Sequence, residues 1–286
     1  MDLMPILIFA TPVAFAALGE TVGQKSGVIY IGIEGSMLTS AYFAMVVSQQ
    51  THSAYLGLAA GAAAGLMLTL LFSWFAISLV ADQVVVGTAI NLLALGLTST
   101  LFRARYGSSG QLISVPTLPS WHQWDLPIVA MILLAPLLWF LIQNTQWGLA
   151  VRACGEYPPA VGASGQSVQR LRYQSMIIAG LMAGIAGSYL SVGISGSFAE
   201  NMTQGRGFVA IAMVTFGRWN PIWVLVASLL IGYADSLQFT LQARGWNVPF
   251  QLFLALPYLL ALLVLVAVGN GGRTPNALGQ RQKPSS

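Results

Sequence analysis

Long stretches of this 286-residue chain contain almost no charged side chains, and this scarcity of charge restricts the fold more than any other feature. Only 7% of the residues are charged and 56% are hydrophobic, whereas about a quarter of an ordinary soluble domain is charged. Apolar segments of about 18 residues or more predict membrane-spanning helices. The strongest such segments are 54–80, 126–142, 173–193, 222–240 and 250–268.

These segments are uninterrupted, and apolar residues do not alternate with polar ones along them. An uninterrupted run indicates an α-helix, because the strands of a membrane barrel alternate with a period of two. We therefore predict an all-α, polytopic membrane helix bundle with about nine crossings, in a range of about eight to ten. The candidate crossings are 3–19, 28–48, 54–80, 84–102, 126–143, 173–193, 205–217, 222–242 and 250–269.

The second and seventh crossings are the weakest of the set. Gly32, Glu34 and Gly35 interrupt the second, and the seventh is short, so both are predicted to be broken or re-entrant helices. The pattern predicts a single transmembrane domain over 1–286, with a polar loop at about 144–172 and a polar tail at about 270–286.

The first apolar run, PILIFATPVAFAAL, ends in an Ala-Phe-Ala sequence that resembles a signal-peptidase site. A signal peptide normally begins with basic residues, whereas Asp2 is acidic. We therefore expect this run to be a retained first helix.

The distribution of basic residues predicts the orientation in the membrane, because cytoplasmic loops are enriched in lysine and arginine. If the 144–172 loop is cytoplasmic, eight basic residues lie inside and four outside. Those inside are Lys25, Arg152, Arg170, Arg172, Arg218, Arg273, Arg281 and Lys283, and those outside are Arg103, Arg105, Arg206 and Arg244. This count favours an external N-terminus and a cytoplasmic C-terminal tail.

The sequence contains no recognisable catalytic or metal-binding motif. Cys154 is the only cysteine, so neither an internal disulfide nor a zinc site of the usual multi-cysteine spacing is expected. His52 and His122 fall in predicted external loops, where a solvated role is favoured. No G-x-S-x-G, H-E-x-x-H or Walker phosphate loop is present. We expect no enzyme activity and no cofactor in this chain, and no nucleic-acid partner, because its basic residues are scattered.

Glycines at four-residue spacing mark two of the predicted helices. GLAAGAAAG places Gly57, Gly61 and Gly65 on one helix face, and GLMAGIAG repeats the spacing with Gly180 and Gly184. Small residues on one face allow a neighbouring helix to approach closely in the membrane. Packing within one subunit is favoured over a subunit interface.

A few polar side chains are predicted at membrane depth, where they rarely face lipid. Glu34 either stabilises the N-terminus of a helix that begins near Ser36 or lines a pathway. Asn91 shares a helix face with Thr88, and either an interhelical hydrogen bond or substrate contact explains it. Asp235 and Gln238 are interpreted as a packed polar pair, and Asp82 as an interfacial residue.

The loop NTQWGLAVRACGEYPPAVGASGQSVQRLRYQ is the longest polar stretch between two strong apolar segments. Gly155 can end one helix, Pro158 or Pro159 can begin a short one, and Gly165 can stop it. Ser167 can then cap the next membrane helix, whose Arg170 and Arg172 would lie at the membrane boundary. A short helix between two turns indicates a docking element rather than a simple connector.

This loop resembles the coupling-helix region of permease subunits of bacterial ABC importers, in the superfamily for branched-chain amino acids, simple sugars and nucleosides. The family pattern runs approximately G-x-x-x-R-A-x-G-E-x-P-x-A-A-x-x-x-G. The residues that match it are Gly148, Arg152, Ala153, Gly155, Glu156, Pro158, Ala160 and Gly165. KSGVIYIGIEGSML, ADQVVVGTAINLLALGLTSTLFR and RTPNALGQ resemble three further family segments, so the resemblance covers about residues 15 to 280.

The resemblance implies a bacterial cytoplasmic-membrane permease that is driven by a separate cytoplasmic ATPase, which binds ATP and magnesium. It further implies a second permease subunit, either a longer relative or a second copy, and an extracytoplasmic substrate-binding protein. The residues assigned to ATPase coupling are Arg152, Gly155, Glu156, Pro158, Pro159, Ala160 and Gly165. The chain departs from the family at Val161, where alanine is usual on a surface that must fit a groove, and at Gln83, which replaces an acid.

Within that superfamily the chain looks closest to the nucleoside and simple-sugar branch, and a purine-type nucleoside is the favoured substrate. Simple sugars and branched-chain amino acids are the alternatives. The residues expected to line the substrate path are Glu34, Ser36, Phe43, Thr88, Asn91 and Phe208. An ion-coupled secondary transporter that uses Glu34 or Asp235 is the alternative of another class, and an intramembrane enzyme is the least favoured.

Overall fold

The computed structural model describes residues 3–107, 114–119, 124–243, 259 and 274–280. Every regular element within these ranges is a helix, as the apolar pattern predicted. The helices are α1 Leu3–Lys25, α2 Ile33–Thr51, α3 Ala54–Ser73, α4 Gln83–Tyr106, α5 Leu126–Asn144, α6 Gln146–Glu156, α7 Pro158–Ala163, α8 Val168–Ser188, α9 Arg206–Phe216 and α10 Pro221–Ala243. Two of them continue as π-helix, α3 through Trp74–Ser78 and α8 through Tyr189–Ser195.

Among the described residues, six helices are long and apolar enough to cross a membrane: α1, α3, α4, α5, α8 and α10, with α3 and α8 counted with their π-helical ends. The count of nine crossings is therefore not confirmed. Helix α9, which has 11 residues, is too short, and the predicted crossing at 250–269 lies outside the described residues. The chain is a multi-pass membrane protein.

Helix α2 differs from the six because it is rich in hydroxyl groups, yet it is among the most buried helices of the bundle. Ser36, Ser40 and Ser48 are fully buried, and the Ser40 hydroxyl donates to the Ser36 carbonyl oxygen at 2.7 Å. A helix that packs against protein can satisfy its polar groups there, so it does not need the apolar surface that lipid requires. Helices α3, α8 and α4 surround it.

Helix α1 lies at the centre of the structure, in contact with α10, α8, α9 and α5. Its residues from Ala10 to Gln24 are all buried. It runs antiparallel to α10, since Gly232 packs against Ile6 and Ala10 while the Trp219 indole bonds Gln24. A helix surrounded in this way fixes the positions of several others.

The helix faces that carry the spaced glycines pack against other helices of this same chain. A Cβ atom added to Gly65 would lie 2.6 Å from the Gly184 Cα atom, and one added to Gly180 would lie 2.7 Å from the Thr69 Cβ atom. A Cβ atom added to Gly57 would lie 2.6 Å from the Ala44 carbonyl oxygen of α2, and one added to Gly61 would lie 2.6 Å from the Ser40 carbonyl oxygen. These contacts join α3 to α2 on one side and to α8 on the other.

We predict that Gly184→Leu prevents normal folding, because the side chain would meet backbone atoms of Ala62 that a rotamer change cannot move. Gly96→Leu is the matched control, since nothing lies within 4 Å of its added Cβ atom. The yield of monodisperse protein from membranes should fall by about tenfold or more for Gly184→Leu and by less than about twofold for Gly96→Leu. Equal yields would contradict the packing described here.

The bundle has two ends that differ in their contacts. At one, called here the α7 end, residues 25–27, α6, α7 and the segment 274–280 lie together. At the opposite end, the loop at 114–118 pairs with residues 192–196, and Arg103 bonds Glu200. The direction of α1 places its first residues at the opposite end and Lys25 at the α7 end.

Candidate functional site

A cavity of about 310 Å³ opens between α2, α4 and the N-terminal part of α9. Its size is at the lower end of the range of roughly 300 to 1,000 Å³ that is typical of small-molecule sites. The residues that line it are Glu34, Gly35, Leu38, Thr88, Asn91, Leu92, Leu95, Asn201, Gly205 and Phe208. The lining thus combines a few polar groups with leucine side chains and one aromatic ring.

Glu34 holds the N-terminus of α9 at the edge of this cavity. Its two carboxylate oxygens accept hydrogen bonds from the backbone N–H groups of Gly205 and Gly207, both at 2.7 Å. A carboxylate at this position satisfies N–H groups that have no partner within the helix and interacts favourably with the helix dipole. Glu34 therefore does stabilise a helix N-terminus, but that of α9 instead of its own helix.

Gly207 allows this close approach between α2 and α9. A Cβ atom there would lie 2.7 Å from both the Cα and the N atom of Glu34. Only a residue without a side chain lets the two helices meet at this distance.

An ion pair anchors the opposite side of the same helix. The Arg206 guanidinium, on the first residue of α9, lies 3.7 Å from an Asp235 carboxylate oxygen on α10. The sequence paired Asp235 with Gln238, whereas the structure gives it Arg206 as its charged partner. Helix α9 is therefore fixed from α2 and from α10 at once.

Asn91 joins α4 to the chain that enters α2. Its amide oxygen accepts from the Gly35 N–H at 2.8 Å, and its amide nitrogen donates to the Ile31 carbonyl oxygen at 2.9 Å. An amide has two donor hydrogens and two acceptor lone pairs, so one of each remains for a bound molecule. The interhelical hydrogen bond, one of the two explanations that the sequence left open, is confirmed. Asn91 also lines the cavity, and substrate contact, the other explanation, stays a prediction.

The other predicted path residues divide into two groups. Thr88 and Phe208 line the cavity and are exposed to it, with the Thr88 hydroxyl donating to the Val84 carbonyl oxygen. Ser36 and Phe43 do not line it. The Ser36 hydroxyl is buried against those of Tyr30 and Thr69, and the Phe43 ring packs edge-on against Tyr42.

The cavity lining that was not predicted consists of Gly35, Leu38, Leu92, Leu95, Asn201 and Gly205. The leucines look like ordinary membrane-helix residues in the sequence, and nothing distinguishes them from those that face lipid. Asn201 has a left-handed backbone, with φ at 57°, which asparagine adopts more readily than most residues. This conformational preference of asparagine is the only feature of the sequence that could have drawn attention to Asn201.

We predict that Asn91→Leu lowers uptake by about tenfold or more, because it removes both hydrogen bonds and leaves the Gly35 N–H without its partner. Recovery of the assembled complex should change by less than about twofold, since α4 keeps its apolar contacts. Thr98→Val on the same helix is the comparison variant, because its hydroxyl bonds only carbonyl oxygens of its own helix and the residue does not line the cavity. An equal loss of uptake and of assembly for Asn91→Leu would assign the residue to packing alone.

The predicted helix, turn and short helix in the 144–172 loop are confirmed. Helix α6 ends at Glu156, one residue beyond the predicted Gly155, and α7 begins at Pro158. Gly165 follows with φ at 78°, in the left-handed region that favours glycine. The Ser167 hydroxyl then accepts from the Arg170 N–H at 3.3 Å and caps α8.

Helix α7 has one buried face and one exposed face. Val161 is buried in a small cluster with Val151, Cys154 and Leu171. Val161 was expected on the surface that fits a groove, and the structure corrects this, because the side chain points into the protein. Of the residues predicted to couple to an ATPase, Glu156, Pro159, Ala160 and Gly165 lie at the surface. Gly155 and Pro158 are buried, and the Arg152 guanidinium donates to the Gln143 side chain.

Gly155 sits where α6 meets the end of α1. A Cβ atom on Gly155 would collide with the Lys25 carbonyl oxygen and lie 3.0 Å from the Lys25 carbonyl carbon. The Gly155 carbonyl oxygen accepts from the Ala277 N–H at 2.8 Å. The end of α6, which leads into α7, is thus in direct backbone contact with the end of α1 and with Ala277 near the C-terminus.

Comparison with known proteins identifies the class of this helical bundle as an ABC transporter permease. The family described as branched-chain amino acid transport system / permease component matches residues 3–269. The chain belongs to this family.

Several relatives match nearly the whole chain. The guanosine ABC transporter permease protein NupQ of Bacillus subtilis is 34% identical over 96% of this chain and 93% of its own length. The nucleoside ABC transporter permease protein NupC of Lactococcus lactis is 28% identical over 96% and 94%. TsgC13 of Haloferax volcanii, described as a glucose ABC transporter permease, is 33% identical over 82% and 75%.

One solved structure supports the fold. It is described as an inward-facing conformation of a metal-chelate type ABC transporter, and it matches with a TM-score of 0.59 over 92% of this chain and 85% of its own. Because the identity is only 17%, the likeness concerns the fold alone.

Proposed function

We propose that this permease forms part of the path of an ATP-driven importer for nucleosides, with the purine type favoured. The observation that carries the proposal is the cavity, where Glu34, Thr88, Asn91 and Phe208 meet in one small space. The similarity to guanosine and nucleoside permeases over almost the full length supports the same substrate class. The similarity to a glucose permease keeps simple sugars as the second candidate.

The chemistry of the cavity suits a nucleoside. A nucleobase has flat apolar faces and polar edges, so it needs an aromatic or aliphatic surface together with a few hydrogen-bonding groups. Phe208 and the leucines supply the first, and the free donor and acceptor of the Asn91 amide supply the second. The Thr88 hydroxyl can still accept a hydrogen bond from a ribose hydroxyl.

We place the α7 end of the bundle in the cytoplasm and the N-terminus outside. Lys25, Arg152, Arg170 and Arg172 belong to helix ends and loops at the α7 end, and cytoplasmic loops are enriched in basic residues. In this orientation α2 and α9 are partial or broken crossings. Together with the six long apolar helices and the crossing that the sequence predicts at 250–269, they would make nine.

The partners follow from this orientation. The exposed face of α7 would dock on a separate ATPase that binds ATP and magnesium, and ATP hydrolysis would occur there and not in this chain. The cavity is open on the side where α4 exposes Leu92 and Leu95, and a second permease would complete it. An extracytoplasmic binding protein would deliver substrate at the opposite end of the bundle.

Substrate-stimulated ATPase activity tests the substrate class. The permease is co-purified with its ATPase, second permease and binding protein, reconstituted, and offered guanosine, glucose or leucine. Guanosine should stimulate ATP hydrolysis by several-fold while glucose and leucine leave it near the basal rate. Stimulation by glucose alone would replace the nucleoside assignment with the sugar one.

A further inference from the structure

The C-terminal segment 274–280 is tied to two distant parts of the chain. The Ala277 N–H donates to the Gly155 carbonyl oxygen at 2.8 Å, and the Gly279 N–H donates to the Gly27 carbonyl oxygen at 3.1 Å. The segment is folded into turns, Ala277 is 3% exposed, and Leu278 packs against the main core. It is therefore docked by backbone bonds and by burial.

The two parts that this segment joins also contact each other. Gly155 lies against the Lys25 carbonyl group, and the Arg172 guanidinium donates from Nε to the Ser26 carbonyl oxygen at 3.3 Å. The end of α1, the end of α6 and the start of α8 thus meet the segment 274–280 at one junction. Any one of these parts that moved separately would break at least one of these hydrogen bonds and leave a buried backbone group without its partner.

From this junction a short non-helical segment with a turn at each end, residues 26–32, leads to the cavity. Its Ile29 N–H donates to the Gln83 side chain at 2.8 Å, and its Tyr30 N–H donates to the Glu20 carboxylate at 3.0 Å. Its Ile31 carbonyl oxygen accepts from Asn91, which lines the cavity. Glu34 follows in the first turn of α2.

We infer that the segments 274–280 and 26–32 form the mechanical link that carries movement of the coupling helix to the substrate cavity. This inference rests on the proposed function. When an ATPase moves α7, the junction transfers the displacement to residues 26–32. That segment then shifts the groups that hold Asn91 and Glu34. The segment 274–280, called here the clamp, bonds both α6 and the end of α1, so that the two move as one body.

Two truncations test the clamp. A stop codon after Arg273 removes 274–280, and a stop after Gln280 is the matched control because it keeps the clamp. In reconstituted complexes, the shorter chain should lose ATP-driven uptake by about tenfold or more while basal ATP hydrolysis persists, and the longer one should stay within about twofold of the full chain. Full uptake by the shorter chain would overturn the inference. Absence of ATP-driven uptake in the full chain would instead overturn the proposed function.

Hydrogen exchange on the unaltered complex tests the clamp even if the shorter chain fails to fold. The amides of a peptide covering 274–280 should exchange at least about a hundredfold more slowly than in an unstructured peptide, both at rest and during ATP turnover. Exchange at the unstructured rate in either condition would overturn the inference.

Discussion

Replacing Gly155 by alanine is expected to abolish coupled transport, with ATP-driven uptake reduced by about tenfold or more. The added methyl group would collide with the Lys25 carbonyl oxygen, which is backbone and cannot rotate away. Helix α6 would then have to move away from α1, and the Ala277 bond to Gly155 would lengthen or break. The coupling helix would lose its fixed position relative to the membrane helices.

Gly96→Ala is the matched control for this change. Gly96 lies in α4, away from α7 and outside the cavity lining, and nothing lies within 4 Å of its added Cβ atom. Uptake and ATP hydrolysis are measured side by side in the reconstituted complex. The Gly96 variant should stay within about twofold of the parent, and the Gly155 variant should hydrolyse ATP without import. Normal coupled import by Gly155→Ala would refute the role assigned to this junction.

Glu34→Gln is expected to reduce uptake by about tenfold to a hundredfold. The reduction follows because the substitution leaves one buried N–H donor without a partner, which costs about 1 to 3 kcal/mol. The carboxylate accepts from both Gly205 and Gly207. An amide has only one acceptor atom, and its NH₂ group would face one of these N–H donors. The N-terminus of α9, and with it Phe208 at the cavity, would lose its position.

Glu200→Gln is the control for the loss of a carboxylate. Glu200 pairs with Arg103 at 2.7 Å at the opposite end of the bundle, and the hydrogen bond from Arg103 lowers the pKa of the Glu200 carboxyl. The pair is exposed, and exposed ion pairs contribute little, so uptake should change by less than about twofold. The initial rate of nucleoside uptake and the substrate affinity of the complex are the measurements. A Glu34 variant with parental values for both would remove Glu34 from the mechanism.

Local structure could be predicted from the sequence because its causes are local. The apolar runs predicted α3, α5, α8 and α10, and the proline and glycine positions around 155–165 predicted α7. Glycine spacing identified the faces of α3 and α8 that pack closely. Each of these signals depends on residues within one or two helical turns of one another.

Contacts between distant segments could not be predicted in this way. Glu34 and Gly207 are 173 positions apart, and nothing near either residue indicates the other. The same holds for Arg206 with Asp235 and for Ala277 with Gly155. The crossing predicted at 28–48 is not confirmed for a related reason, since the hydroxyl groups of α2 lower its hydropathy and are tolerated only because other helices cover them.

Four of the six predicted path residues meet in the cavity. Glu34, Thr88 and Asn91 were selected because a polar side chain in a membrane helix is rarely left facing lipid, whereas Phe208 was selected as an aromatic surface. The same argument selected Ser36, which is satisfied in a buried cluster with Tyr30 and Thr69 instead. Sequence alone does not separate these two outcomes, because both remove a hydroxyl group from lipid.

The energy source of nucleoside uptake is tested most directly with proteoliposomes that contain the purified complex. Radiolabelled guanosine and binding protein are placed outside, with ATP and magnesium or a non-hydrolysable analogue inside. An ATP-driven importer should accumulate guanosine only with hydrolysable ATP on the α7 side, and collapse of the sodium and proton gradients should leave accumulation unaffected. Accumulation by this chain alone, driven by an ion gradient and independent of ATP, would contradict ATP-driven import.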